Sequence, residues 1–240
     1  MEYQKINTLF KRDANNIIIP SQFTLPEFEY LKDTKFECTE KIDGTNMRIE
    51  ITAHKNPDGA ILFTYVDYLG RTDRAIVPPH LFNKMSELFD NVDWFDIFPN
   101  WEGEPITLFG EGYGKKIQAG GNYIKDGVDF ILFDVRIGKW WLSRESCEDI
   151  ANKLGIKIVP IIGYMTIPEA IDFVSKGFKS TISENKDYDA EGLVLKTPQG
   201  LLMRNGERII TKIKTVDFVK FKRKYGDEKN PVQPVNLKYK

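Results

Sequence analysis

Lys41 lies in a segment whose residue types suit covalent chemistry. The run from Glu40 to Asn46 reads EKIDGTN, so a lysine ends an apolar strand and Gly44 lets the backbone turn before the next strand. A lysine amine attacks a phosphate only in its neutral form, which neighbouring cations favour. A lysine at a strand end is also a common solvated charge, and the segment taken alone favours that simpler interpretation.

Four further islands follow Lys41 in order along the chain. They are FGEGYG around Glu111, FILFDVRIG around Phe133, EGLVLK from Glu191, and KIK at Lys212 and Lys214. Glu111 and Glu191 each stand beside a glycine in an apolar strand, where a carboxylate without a role is unusual. Lys212 and Lys214 are two residues apart, so both side chains project to one face of a strand and can stabilise charge on a phosphate. Each island alone is a weak signal, because the acids and lysines are also typical of solvated strand ends and the phenylalanines of a hydrophobic core.

Together these islands resemble the covalent nucleotidyltransferase superfamily of ATP-dependent ligases and mRNA capping enzymes. The EKIDGTN form is similar to that of phage RNA ligases of the second type, which seal nicks in double-stranded RNA. The matched islands extend over residues 40–218. The resemblance implies an α+β nucleotidyltransferase fold (the ATP-grasp-like ligase adenylylation fold) of antiparallel sheets with flanking helices and a cleft for ATP beside Lys41.

The resemblance also implies a role for each matched residue. The catalytic residues would be Lys41, Lys212, Lys214 and Glu191. ATP or AMP would contact Glu40, Ile42, Asn46, Arg71, Glu111, Phe133, Lys212 and Lys214. Within that set, Glu111 would hold the ribose hydroxyls and Phe133 would stack on adenine, with Phe130 as the alternative. A divalent cation, Mg²⁺ or Mn²⁺, would be bound by Glu191 and Asp43, although several second-type RNA ligases have histidine in place of Asp43.

Basic side chains concentrate in the segment 204–224. The formal net charge of the chain is −1, so a polyanionic partner is indicated by this local cluster and not by the total. The predicted nucleic-acid contacts are Arg71, Lys220, Lys222 and Arg223. A solvated basic surface would explain the same pattern without a partner.

Hydrophobic periodicity predicts the elements that position these residues. Strands are expected at 36–40, 46–52, 60–66, 106–114, 128–138, 191–197 and 207–214, with a hairpin turn at 56–59, and helices at 80–90, 143–154 and 168–176. Antiparallel strands with interspersed helices indicate an α+β fold. We expect an adenylyltransferase domain over residues 1–226 and a polar tail at 227–240, without a separate C-terminal domain.

Composition excludes several other classes of protein. Cys38 and Cys147 are the only cysteines, and His54 and His80 are the only histidines, which argues against a Cys/His zinc site. The apolar runs are too short to cross a bilayer, and the N-terminal residues lack the apolar segment of a signal peptide. We expect a soluble, cytoplasmic protein with no membrane partner.

The predicted function is that of an ATP-dependent RNA ligase. It would join 5′-phosphate and 3′-hydroxyl RNA ends, in a nicked duplex or a structured RNA, through lysyl-AMP and adenylylated RNA. Asn46 favours this branch, because capping enzymes and DNA ligases of the superfamily usually have arginine there. A DNA nick ligase and a capping guanylyltransferase are alternatives, but we expect too little chain after the KIK motif for the barrel domain they usually carry. A nucleotide- or RNA-binding module without activity is the alternative outside the superfamily.

Overall fold

The computed structural model describes residues 2–118 and 123–226. Within these ranges the chain forms two compact units, each with its own sheet and hydrophobic core. Unit 1 comprises the described residues of 1–3, 43–159 and 183–185, and unit 2 comprises those of 4–42, 160–182 and 186–240. The expected polar tail at 227–240 lies outside the described residues, and the assignment of 1–226 to one adenylyltransferase domain stays a prediction.

Helices are interspersed among strands that form mainly antiparallel sheets, which is an α+β fold. In chain order the strands are β1 (Asn7–Thr8), β2 (Phe10–Arg12), β3 (Ile18–Phe23), β4 (Phe36–Glu40), β5 (Thr45–Lys55), β6 (Ile61–Gly70), β7 (Ile106–Gly114), β8 (Val128–Ile137), β9 (Trp140–Trp141), β10 (Lys157–Ile158), β11 (Ile161–Met165), β12 (Gly192–Lys196) and β13 (Ile210–Lys214). The helices are α1 (Pro26–Tyr30), α2 (Pro79–Phe89), α3 (Trp94–Ile97), α4 (Arg144–Leu154), α5 (Ile167–Lys176) and α6 (Thr215–Tyr225).

Unit 1 is built on a mainly antiparallel sheet with the strand order β10-β8-β7-β5-β6, and β9 pairs with β8. The predicted hairpin turn joins β5 to β6, where Gly59 has a φ of 88°. Alternate residues of β5, including Met47 and Ile49, point into a core that also contains Leu81 and Phe89 of α2. The residues between them, from Asn46 onward, therefore point to the other face of the sheet.

Unit 2 contains a second sheet with the strand order β1-β13-β12-β4-β11 and a separate β2-β3 pair. Strand β12 pairs with β4 on one side and with β13 on the other, and both pairings are antiparallel. Cys38, Leu193 and Ile213 point into a core that α5 and α6 complete through residues such as Val174 and Phe218. Strand alternation then places Thr39, and Lys41 beyond it, on the opposite face.

The cysteines take no part in a disulfide. Cys38 and Cys147 are both free and buried, and burial raises the pKa of the Cys38 thiol to about 12. A thiol in that state is unreactive at neutral pH. No helix in residues 2–118 and 123–226 has the length and apolar content needed to span a membrane.

Candidate active site

The side chain of Glu191 joins Lys41 to Lys214 in unit 2. Lys41 follows directly after β4, and its Nζ donates a hydrogen bond to Glu191 Oε2 at 2.5 Å. Lys214, the last residue of β13, places its Nζ 2.6 Å from the other carboxylate oxygen, Oε1. Each oxygen of one carboxylate therefore binds a different ammonium group, and the predicted nucleophile lies beside a second cation.

Backbone contacts at the start of β12 create this arrangement. The Lys41 amide donates to the carbonyl oxygen of Gly192 at 2.9 Å, and the Thr215 amide donates to that of Glu191 at 2.9 Å. Gly192 has a φ of 151°, and a Cβ at this position would lie 1.9 Å from the carbonyl oxygen of Ile213. Only glycine allows β12 and β13 to approach so closely beside Glu191.

The two lysines of the KIK motif occupy different positions along β13 relative to Lys41. Ile213 between them is buried, so Lys212 and Lys214 project to the same face of β13, as their spacing predicts. Lys214 pairs in register with Gly192, whereas Lys212 pairs with Val194. Lys214 therefore lies at the end of β13 that is beside Lys41, and Lys212 lies two residues further along the strand.

The carboxylate of Glu40 is fully enclosed and satisfied by donors of unit 2. It accepts hydrogen bonds from Ser180 Oγ at 2.5 Å and from the amide and Oγ1 of Thr181 at 2.8 and 2.7 Å. Glu40 is 1% exposed and Ile42 is 4% exposed. The predicted contacts of these two residues with ATP stay predictions, and because both side chains are buried, backbone atoms are the ones we expect to make them.

Asn46 and Glu111 face each other in unit 1. They are register partners of the antiparallel strands β5 and β7. A Cβ on Gly44 would lie 2.4 Å from the carbonyl oxygen of Gly112 and 2.6 Å from Glu111 Cγ, so this turn also requires glycine. The Oδ1 atom of Asn46 is buried and accepts no hydrogen bond from the described residues. A buried acceptor of this kind needs a donor, and a bound ligand would supply one.

The two candidate stacking residues on β8 have different surroundings. Phe130 is completely buried, with its ring 5.7 Å from that of Phe89. Phe133 is only partly buried and lies at a register shift between β7 and β8, where the strand alternation changes. Its ring contacts that of Tyr3 edge-on at 5.0 Å. Phe130 is a core residue, and Phe133 is the one left for contact with a base.

The remaining predicted residues are Asp43, Arg71 and three basic residues near the C-terminal end of the described chain. The Asp43 amide donates a hydrogen bond to Tyr123 Oη at 3.1 Å. Arg71 is exposed just after β6. The predicted nucleic-acid contacts at the C-terminal side are all exposed on α6: Lys220, Lys222 and Arg223. Helix α6 is not among the helices predicted from the sequence, although Phe218 and Phe221 on its buried side have helical spacing.

The described residues contain no group of three His, Cys, Asp or Glu side chains that could hold a metal ion on their own. Mg²⁺ commonly binds through one or two carboxylates together with phosphate oxygens and water, so it does not require such a group. Glu191 fits this kind of site, because both of its oxygens are bound by lysines that a metal ion could displace.

The RNA ligase family model matches residues 34–214, which is most of the chain. The chain belongs to the RNA ligase family. An RNA ligase of Naegleria gruberi solved with pyrophosphate is 20% identical, with a TM-score of 0.58, and the match covers 91% of this chain and 58% of that chain. A variant of that ligase solved with ATP and manganese is 19% identical, with a TM-score of 0.60, over 94% of this chain and 58% of that chain.

A third structure of the same Naegleria ligase, a variant with AMP and manganese, is 20% identical with a TM-score of 0.57. It covers 90% of this chain and 57% of that chain, so the chain spans less than two thirds of these relatives. No curated protein matches the sequence. The predicted α+β nucleotidyltransferase fold and the predicted family are confirmed. The roles of the individual residues stay predictions.

Proposed function

We propose that this chain is an ATP-dependent RNA ligase that carries AMP on Lys41. The contact of Lys41 and Lys214 with the two oxygens of Glu191 carries the proposal, because it brings the motifs of an RNA ligase family member together at one point. The Naegleria ligase structures with ATP, AMP, manganese and pyrophosphate support the same choice of nucleotide and metal.

In the first step, the neutral Nζ of Lys41 forms a bond to the α-phosphorus of ATP. The bond from that phosphorus to the bridging oxygen breaks, and pyrophosphate leaves. Lys214 and Lys212 stabilise the negative charge that develops on the phosphates, which is an effect expected mainly in the transition state. Before this attack, the Lys41 ammonium must lose a proton, because only the neutral amine has a lone pair for the phosphorus. The Glu191 carboxylate that accepts its hydrogen bond lies in place to take that proton.

Glu191 would hold the divalent cation when Lys41 releases it. Bound Mg²⁺ or Mn²⁺ would neutralise phosphate charge and orient the phosphates. The carboxylate would then have two roles. It holds the two lysines when ATP is absent, and it would be a metal ligand when ATP is bound. Asp43 stays a proposed second ligand.

The later steps transfer AMP to a 5′-phosphate end of RNA and then expel it when a 3′-hydroxyl attacks that phosphate. In unit 1, we assign Glu111 and Asn46 to the nucleotide's ribose and phosphate and Phe133 to its base, for which a π-face is suited. The RNA backbone would be bound by exposed cations: Arg71, Lys220, Lys222 and Arg223. The substrate would be a nicked duplex or a structured RNA, and since ATP and RNA are intracellular, the enzyme would act in the cytoplasm.

The test begins with ATP labelled at the α-phosphate. Wild-type protein should become labelled, whereas Lys41→Ala and Lys41→Arg should not, because a guanidinium stays protonated and is a poor nucleophile. Lys153→Ala, on the exposed side of α4, is the matched control and should label normally. Normal labelling of Lys41→Ala would contradict the assignment of the nucleophile.

A second measurement separates RNA ligase from DNA ligase. Matched nicked duplexes that differ only in ribose or deoxyribose on the 3′-hydroxyl side present different 2′ groups and different helix geometry to the protein. We expect sealing to require ribose at these positions. Preferred sealing of the all-DNA nick would overturn the RNA assignment while leaving lysyl-AMP formation in place.

A further inference from the structure

Ile76 is 94% exposed, more than any other large hydrophobic residue among those the structure describes. It lies in the β6–α2 loop (residues 71–78), which connects the edge strand of the unit 1 sheet to α2. Leaving an isoleucine in water forgoes its burial free energy, about 1.5–3 kcal/mol. Ile76 does not belong to the hydrophobic core of unit 1, so its side chain is available for contact with another molecule.

The loop that presents Ile76 is restrained. The fully buried guanidinium of Arg48 donates to the carbonyl oxygen of Gly70 at 2.9 Å and to Asp73 Oδ1 at 2.6 Å. The Ala75 amide donates to the carbonyl oxygen of Thr72 at 3.0 Å and closes a turn. A Cβ on Gly70 would lie 2.6 Å from Ala75 Cβ, so the loop folds closely back on the end of β6. The exposed isoleucine is therefore held in place.

The charges around Ile76 are positive. Arg71 and Arg74 are both exposed, and neither forms an ion pair within residues 2–118 and 123–226. Asp73, the acidic residue between them, is bound to Arg48, and that contact lowers the pKa of its carboxyl group. The loop thus offers one apolar side chain with free cations on its N-terminal side.

We propose that the β6–α2 loop is an RNA contact in which Ile76 packs against a base or ribose of the substrate while Arg74 binds a phosphate. The inference rests on the proposed function and extends it, since Arg71 was the only residue of this loop assigned to RNA. A protein partner is disfavoured by size, because a stable protein interface buries about 800 Å² per partner and this loop presents one large apolar side chain. Apolar residues that pack on bases beside phosphate-binding arginines are typical of nucleic-acid contacts.

The experiment uses a nicked RNA duplex that already carries AMP on its 5′-phosphate, so that neither ATP binding nor Lys41 labelling limits the result. Ile76→Ala should weaken duplex binding and raise the KM for sealing by about five- to tenfold, a modest fraction of the effect of losing a stacked base. Arg74→Gln should also reduce by about one the slope of log affinity against log salt concentration. Ile76→Ala should leave that slope unchanged.

Tyr30→Ala is the matched control, since Tyr30 is another strongly exposed apolar side chain, at 79%, and lies in unit 2. It should change neither binding nor sealing. Thermal unfolding of Ile76→Ala should match that of wild type, because its side chain makes little contact within the fold.

The outcomes distinguish the two proposals. If wild type labels Lys41 and seals RNA, but Ile76→Ala and Arg74→Gln bind the duplex as wild type does, the loop assignment is wrong and the proposed function stands. If wild type neither labels nor seals, the proposed function fails, and the loop assignment fails with it. If Ile76→Ala changes only the oligomeric state of the protein, the loop is a protein contact and the RNA assignment is overturned.

Discussion

Replacing Glu40 with alanine should show whether its carboxylate stabilises the fold or binds the nucleotide. The substitution removes the acceptor for Ser180 Oγ and for the amide and Oγ1 of Thr181. Ser180 is itself 4% exposed, so water cannot readily replace the lost partner. Glu40 directly precedes Lys41, and its hydrogen bonds connect the end of β4 to the segment that leads to Glu191.

The magnitude follows from the number and type of hydrogen bonds. A hydrogen bond to a charged group contributes about 1.5–3 kcal/mol, and bonds that share one carboxylate are not additive, so Glu40→Ala should lower the free energy of unfolding by about 3 kcal/mol. For a chain of this size that corresponds to a Tm about 6–12 °C lower. Glu40→Gln should cost about 1 kcal/mol, because its amide oxygen can still accept from Thr181 and the Ser180 hydroxyl can turn to accept from its NH₂ group.

The assay combines thermal unfolding with the rate of lysyl-AMP formation at varied ATP concentration. In Glu40→Ala we expect slower labelling of Lys41 at saturating ATP with little change in the KM for ATP, and we expect Glu40→Gln to restore most of the rate. Glu87→Ala, at an exposed position of α2, should behave as wild type. A higher KM for ATP with an unchanged Tm would show that the Glu40 carboxylate binds the nucleotide, and would refute the reasoning from burial.

Three further predictions concern the same elements. Lys214→Ala should slow lysyl-AMP formation by orders of magnitude, because its charge acts in the transition state; labelling rates that match those of the exposed control Lys153→Ala would contradict this. Gly192→Ala should destabilise unit 2, since the added methyl group lies 1.9 Å from a carbonyl oxygen of β13, and an unchanged Tm would be inconsistent with the strand approach. The hydrogen bond from Lys35, followed by the cap of α5, lowers the pKa of Glu169 from 4.5 to about 2. Its contribution to stability is therefore complete above pH 4.5 and lost as pH falls through 2, so the difference in Tm between wild type and Glu169→Gln should disappear over that interval.

The sequence predicts local elements well because their hydrophobic periods are strong. Strand β7 has the predicted bounds of 106–114, and α2 differs from its predicted range by one residue at each end. Helix α4, predicted at 143–154, begins after Ser143, whose side chain accepts a hydrogen bond from the Ser146 amide and caps the helix. By contrast, β13 begins at Ile210 and not at 207, and α6 is not predicted, because Phe218 and Phe221 are the only apolar residues on its buried side.

The features of the site that could not be predicted from the sequence depend on contacts between residues far apart in the chain. Phe130 and Phe133 differ in burial because of a register shift between β7 and β8, which the β8 sequence alone does not reveal, and this difference is our reason for proposing Phe133. The enclosure of Glu40 depends on Ser180 and Thr181, about 140 residues away, and no local pattern links them. Family resemblance identified Glu40 as important but not which of its atoms are available.

Gly44 and Gly192 are required by the packing of the backbone, and not by the proposed chemistry of the residues beside them. Gly44 precedes Asn46 and admits no Cβ because Glu111 and Gly112 lie against it, whereas Gly192 follows Glu191 and admits none because β13 lies against it. In each case a carboxylate that we assign to the site, Glu111 or Glu191, lies where two chain segments approach more closely than a side chain allows. A change at either glycine should therefore lower the Tm and activity together, whereas a change at Lys41 should remove lysyl-AMP formation from a protein that unfolds at nearly the wild-type temperature. Measuring unfolding and labelling on the same variants should therefore distinguish the two glycines, which we expect to act through the fold, from Lys41, which we propose acts through its amine.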